Sequence, residues 1–299
     1  MKRKSLRISD NMMGLILILP TLAVLLTVVA LPIIKGIYVS FCEYKIGNLN
    51  DPVWNNFQNY KNLFKDGEII SYFKNTIVYV LLAVSIQFVL GMMIALLLNS
   101  KMKGQGLLRA LFLVPWTIPS VVVAIVFLWM LHQQFGVLNY LLSAWGIVEE
   151  ATISWTKNKT LAMAMVVMAA VWRQLPYMMV MILAALQSVD RSLLEAARVD
   201  GAGAVRVFRS ITFPLIRPVV TTTIWIAILS NFQMFTIVYN MTGGGPLDST
   251  TTVGIAAYRK AFQSYNFGEA AAIGVLWLIL LFSATLIKNK IEAKSVSDL

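Results

Sequence analysis

The sequence predicts an all-α polytopic membrane protein with six transmembrane helices, and three observations carry that expectation. Of its 299 residues, 58% are hydrophobic and 13% charged, and the mean hydropathy is +0.73. A typical soluble domain is about 45–50% apolar and about 25% charged. The apolar excess is gathered into runs of about twenty residues, the length that crosses a bilayer core. These runs lack the strict alternation of membrane-barrel strands, so each must satisfy its backbone as a helix or against other protein.

The first run, 12–34, follows the basic stretch "MKRK" and is longer than a signal-peptide core. With more spans behind it, it reads as a retained signal-anchor helix. Further runs cover 76–98, 110–131, 161–186, 219–241 and 270–287. Pro115, Pro119 and Pro176 fall inside spans, which implies kinked helices whose freed carbonyls are taken up by neighbours. The expected organisation is a tail over 1–11, one six-helix domain over 12–289 and a tail over 290–299. A charged loop, 187–218, joins the fourth and fifth spans.

Six spans leave both termini on one side, and basic residues say which. Lys2, Arg3, Lys4, Arg7, Lys101, Lys103, Arg109, Arg191, Arg198, Arg206, Arg209, Arg217, Lys288, Lys290 and Lys294 fall on the side of the termini, fifteen in all. The opposite loops hold nine: Lys35, Lys45, Lys61, Lys65, Lys74, Lys157, Lys159, Arg259 and Lys260. Basic residues mark the cytoplasmic face, so both termini and the loop 187–218 are expected in the cytoplasm. The net charge of +11 is thereby a topology signal and does not point to nucleic acid. Cys42 and His132 are each the only residue of their type, which leaves no intrachain disulfide and no His/Cys metal cluster.

Residues 195–218 read "EAARVDGAGAVRVFRSITFPLIRP", an unusual concentration of charge in so apolar a chain. Ser192 and Glu195 have capping-box spacing, which predicts a helix from Leu193. Gly201 after Asp200 suits a left-handed helix end. "AVRVFRSI" predicts a second short helix that Pro214 stops before the next span. Ala196 and Ala197 form a small face that another backbone can approach. A solvated amphipathic loop obeying the charge rule explains these signals equally well.

The same stretch closely resembles the cytoplasmic signature of the membrane subunits of bacterial binding-protein-dependent ABC importers. Glu195, Ala196, Ala197, Asp200, Gly201, Ala202, Phe208, Ile211, Pro214 and Pro218 match the family pattern, and Phe213 replaces its usual leucine. The likeness runs along most of the chain. "LLRALFLVPWTIPS" is similar to the family's third span, and "MTGGGPLDSTTTVGIAAYRKAFQSYNFGEAAAIG" to the outer loop and last span of its maltose, multiple-sugar and glycerol-phosphate branch.

This resemblance implies the type I importer permease fold and a multi-pass place in a bacterial cell membrane. It also implies partners: a second homologous permease subunit, two cytoplasmic ABC ATPases that bind the ATP, and an extracytoplasmic solute-binding protein delivering a carbohydrate. The ATPase-coupling residues it implies are Glu195 in polar or ionic contact, Ala196 and Ala197 in close packing and Gly201 at the turn, together with Asp200 and Ala202. Gly201→Val or Glu195→Lys is then expected to uncouple hydrolysis from transport.

The chain has no G-x-x-x-x-G-K-[ST] phosphate loop, and "TGGGP" at 242–246 reads as a tight turn. No cofactor is therefore expected in this chain. Polar groups inside spans are functional candidates by default. Arg173, Gln174 and Tyr177 in the fourth span and Asn231, Gln233, Phe235 and Tyr239 in the fifth are the candidate substrate pathway. Arg173 fits equally a partner contact or a reach to cavity water, and Asn231 and Gln233 fit interhelical hydrogen bonding.

Two other functions suit the residues less well. A self-sufficient secondary carrier lacks visible inverted repeats and intramembrane carboxylates, Glu269 alone bordering a span. A membrane enzyme would want paired acids or a histidine–carboxylate set, and Glu149–Glu150 stands without one.

Overall fold

The computed structural model describes residues 10–47, 52–100, 103–148 and 153–297. Lys2, Arg3, Lys4, Arg7, Lys101 and the Glu149–Glu150 pair lie outside the described residues. In chain order the helices are α1 (Asp10–Val24), α2 (Leu31–Ser40), α3 (Gln58–Lys65), α4 (Glu68–Asn99), α5 (Gln105–Thr117), α6 (Ser120–Met130) and α7 (Val137–Ala144). They continue with α8 (Lys159–Gln187), α9 (Arg191–Val199), α10 (Ala204–Val207), α11 (Phe213–Phe232), α12 (Phe235–Thr242), α13 (Val253–Phe262) and α14 (Phe267–Ser297). One small antiparallel ribbon, β1 (Cys42–Glu43) on β2 (Val53–Trp54), pairs Cys42 with Trp54.

By length and composition, five described helices can cross a membrane, and α5 with α6 supplies a sixth if that bent pair counts as one span. The third run, expected over 110–131, breaks by 95° between Thr117 and Ser120. Pro119 cannot donate to a helix ladder and pushes Ile118 into an extended conformation, with ψ at 131°. Pro176, by contrast, sits inside the unbroken α8. The fifth run, expected over 219–241, also divides: α11 ends at Phe232 and α12 begins at Phe235.

Pro214 does not stop a separate short helix, as its sequence suggested. The chain is helical from Ala204 through Phe232. A π-turn over Phe208–Thr212 precedes the proline, and the Phe213 N–H bonds back to the Phe208 carbonyl. A wider turn opens the helix where a proline ring would otherwise crowd the preceding carbonyl. The first span uses the same device, a π-turn over Leu25–Ala30 followed by Pro32.

The chain falls into two compact units, Glu68–Ala256 and the two end segments up to Gly67 and from Ala257. In the unit of the end segments, α14 packs on α2 and α3. Asn59 Nδ2 donates to the carbonyls of Ser40 and Cys42, both at 2.8 Å. Lys260 Nζ meets the Glu269 carboxylate at 2.6 Å, and Asn62 donates to the other Glu269 oxygen. Glu269 is thus neutralised locally, which suits a carboxylate at a span's end. The helix from Met12 to Ala30 buries none of its described side chains in the chain itself.

In the middle unit α4 and α8 form the central pair. Ala83, Ala95, Ala162, Ala169 and Ala170 are fully buried, and small residues let membrane helices approach closely. A Cβ on Gly91 would lie 2.8 Å from Met178 Cγ, so no larger residue fits that crossing without displacement. Asn158 caps α8 by accepting from the Thr160 and Leu161 amides, which fixes the helix start.

The "TGGGP" segment is a tight turn. Thr251 Oγ1 donates to the Gly244 carbonyl at 3.0 Å, and Asn75 Nδ2 donates to the Asp248 and Thr251 carbonyls.

Candidate functional site

The charged hairpin is built from α9, the four-residue turn 200–203 and the base of the long Ala204–Phe232 helix. Its first helix starts at Arg191, two residues before the position that the capping-box spacing predicts. Asp190 is the cap: its backbone is extended, and its carboxylate accepts from the Ser192 amide at 2.9 Å. That bond holds the Asp190 pKa below the ordinary aspartate range. Ser192 is then already inside the helix, and Glu195 lies too far along to reach back to the cap.

The far end closes as expected. Gly201 has φ +81°, a conformation that L side chains rarely adopt. Its amide bonds to the Arg198 carbonyl at 3.0 Å, and the Ala202 amide bonds to the Ala197 carbonyl at 2.9 Å. These two bonds form a Schellman closure. They turn the chain sharply while α9 keeps all its side chains at least partly accessible. Glu195 and Ala196 are exposed, Ala197 is half-buried, and Asp200 is exposed at the helix end. The hairpin is therefore a helix closed at both ends that presents Glu195, Ala196 and Asp200 on its accessible surface.

The intramembrane candidates separate into distinct environments. Arg173 Nε donates to the Ile118 carbonyl at 3.2 Å. That carbonyl stands at the α5–α6 break, so Arg173 satisfies a backbone acceptor left over by Pro119. Sequence reasoning missed this role because the two partners are 55 residues apart. Nearby in sequence, Tyr177 packs its ring on Trp116 with centroids 6.0 Å apart, and Gln174 is buried.

Asn231 is sealed at 1% exposure. Its Nδ2 donates to the Ala227 carbonyl and to Gln87 Oε1, and its Oδ1 accepts from Tyr79 OH. Asn231 is thus an interhelical hydrogen-bonding link between α4 and α11. Gln233 is exposed at the α11–α12 break, where its carbonyl accepts from the Phe235 amide at 2.8 Å. Phe235 and Tyr239 follow on α12 with their rings stacked 4.9 Å apart. Irregular backbone at membrane depth is tolerated where it is buried in protein or lines a watery cavity. The two breaks are therefore the places where this unit departs from a lipid-adapted bundle.

Residues 87–295 match the family described as "Binding-protein-dependent transport system inner membrane component". The chain is 31% identical to the trehalose/maltose transport system permease protein of Thermococcus litoralis, over 96% of this chain and 95% of that protein. It is 30% identical to the sulfoquinovosyl glycerol transport system permease protein of Agrobacterium fabrum, over 96% and 92%. The sn-glycerol-3-phosphate transport system permease protein of Yersinia pestis is 31% identical over 80% of each chain. Among solved structures, a bacterial ABC transporter that imports the acidic polysaccharide alginate superposes with a TM-score of 0.82. At 22% identity, covering 95% of this chain and 96% of that one, it establishes a shared fold. With the family signature spanning most of the chain and relatives aligned nearly end to end, the chain belongs to the binding-protein-dependent transport system inner membrane components, multi-pass permeases rather than enzymes.

Proposed function

We propose that this permease forms half of the translocation pathway of an ATP-driven importer for a carbohydrate or related polyol. A second permease forms the other half, a solute-binding protein delivers the solute, and the hairpin seats on one of two ATPase subunits that bind the ATP. The observation that carries the coupling assignment is the form of the hairpin: a short helix, capped at both ends, with Glu195 and Ala196 exposed. The sugar assignment rests on the relatives, whose names specify trehalose or maltose, sulfoquinovosyl glycerol and glycerol 3-phosphate.

In this reading Glu195 pairs with a basic group of the ATPase, and Ala196 and Ala197 let the two backbones approach. Asp200, Gly201 and Ala202 hold the turn. Closure of the ATPases shifts the hairpin, and a packed bistable bundle passes that shift to the spans. Gln174, Tyr177, Gln233, Phe235 and Tyr239 supply the amides and ring faces a sugar needs. Arg173 and Asn231 fix the shape of the helices around them. Both termini and the hairpin lie in the cytoplasm.

Reconstitution with the partner subunits and binding protein tests this. The expected result is ATP-dependent uptake of a labelled maltose, trehalose or glycerol 3-phosphate, with Glu195→Lys hydrolysing ATP but importing nothing. Uptake by the isolated chain on an ion gradient, or full import by Glu195→Lys, would overturn it. ATP-driven uptake of a non-sugar solute alone would keep the coupling and remove the carbohydrate assignment.

A further inference from the structure

We propose that the hollow at the root of the hairpin is a binding site for a phosphate-bearing ligand. The cavity has a volume of about 630 Å³ and lies between the end of α4, the start of α5, the end of α8 and the flank of α9 that carries Arg191, Leu194, Glu195 and Arg198. It goes beyond solute translocation, because none of its lining belongs to the candidate pathway.

Charge is the first argument. Arg109, Arg191 and Arg198 line the hollow against a single carboxylate, that of Glu195. Among the described residues no ion pair joins Glu195 to any of the three. The wall therefore carries more guanidinium charge than the described residues neutralise.

Donor accounting is the second. Arg109 is anchored at one corner, its Nη2 donating to the Leu98 carbonyl at 3.4 Å. Gln105 Nε2 donates to the same carbonyl, which belongs to the last turn of α4. Arg109 Nε, however, is sealed from solvent and has no partner among the described residues. A buried donor on a charged group is expensive to leave unmet, so a shift of the Arg109 guanidinium toward an acceptor in the hollow is favoured. Gln187 adds an amide to the wall. Guanidinium forks surrounded by neutral donors match an anion with several oxygens, as phosphate is.

Position and size set the ligand class. The lining comes from the ends of apolar helices, α4 ending at Asn99 and α8 at Gln187, which is the level of lipid headgroups. The volume takes a phosphate with a substituent attached, either a phospholipid headgroup or a soluble phosphorylated metabolite. Arg191 and Arg198 share one helix with Glu195, which lines the hollow and is itself the proposed ATPase contact, so occupancy changes the charge that the hairpin presents.

The test uses the full chain with its partner subunits in nanodiscs, read by hydrogen exchange over 105–109 and 191–199. One arm holds phosphatidylcholine discs titrated with inorganic pyrophosphate; the other holds discs doped with phosphatidylglycerol and no soluble phosphate. With ligand at ~10 times its dissociation constant, exchange is expected to slow about tenfold in at least one arm. Protection in the first arm identifies a soluble ligand, and protection in the second alone identifies a lipid. Arg109→Gln should abolish it; because that change also releases the Leu98 carbonyl, Arg198→Gln on the exposed flank provides the same test without that contact. Lys288→Gln, a charge change on α14, should leave protection intact. No protection in either arm, wild-type protection in both arginine variants, or protection by the ATPase already complete in phosphatidylcholine discs without pyrophosphate overturns the site.

Discussion

Replacing Gly201 by asparagine, alanine and valine separates hairpin geometry from hairpin chemistry. An added Cβ would meet nothing within 4 Å, so no clash contributes and only the backbone conformation at φ +81° is at stake. Holding an L residue there costs about 1–2 kcal/mol for alanine, less for asparagine and more for a β-branched side chain. The closed turn should therefore lose population by roughly 5-fold to 30-fold in the alanine variant. The local reporter is the Ala202 amide, held by the Ala197 carbonyl at 2.9 Å, whose exchange should accelerate in the order Asn, Ala, Val. The functional reporter is the number of ATP molecules hydrolysed per solute imported by the reconstituted complex, which should rise in the same order. If valine speeds Ala202 exchange while that ratio stays at its wild-type value, the shape of the turn has no part in coupling.

Arg173→Ala removes the donor to the Ile118 carbonyl and strands that acceptor at the α5–α6 break, a loss of about 1–3 kcal/mol. Assembled protein and uptake should fall in parallel; abolished uptake with unchanged assembly and melting would instead mark a substrate contact. For Asp190 the sign follows from its depressed pKa. A carboxylate whose folded pKa is lowered contributes stability above its unfolded value, about 3.9, and loses it as pH falls through the lower folded value. Amide exchange in α9 should accordingly be insensitive to that group from about pH 5 to pH 8 and rise only in stronger acid. Asp190→Ala should raise it across the whole range, and a variant matching wild type at neutral pH would remove Asp190 from the capping role.

The spans were legible because continuous hydrophobicity has few outlets other than a bilayer-crossing helix. The end of α9 was legible for a similar reason: Asp200–Gly201 is a local signal, and the turn needs the backbone freedom that glycine supplies. The start was not, since Asp190 and Ser192 are both eligible caps and only the direction of the chain leaving α8 chooses between them. Pro119 announced a disturbance but not a 95° bend, because a kink and a break differ in whether a distant donor such as Arg173 takes the freed carbonyl. The Gln233–Met234 break has neither glycine nor proline to mark it. Of the seven intramembrane candidates, Asn231 shows why polarity alone does not find a pathway. An amide sealed between Gln87 and Tyr79 reads in the sequence the same as one facing water.

The unbroken helix from Ala204 to Phe232 has a mechanical consequence. Twenty-nine helical residues make a strut about 43 Å long, with the hairpin turn at one end and the Gln233–Met234 elbow at the other. An axial thrust on such a strut arrives at the elbow without needing a relay of side chains. Its compliant sections are the π-turn at Phe208–Thr212, which widens the backbone, and Pro218, which cannot donate to the helix ladder. Stiffness there would set how much of a stroke delivered in the cytoplasm is spent in bending and how much reaches the middle of the membrane.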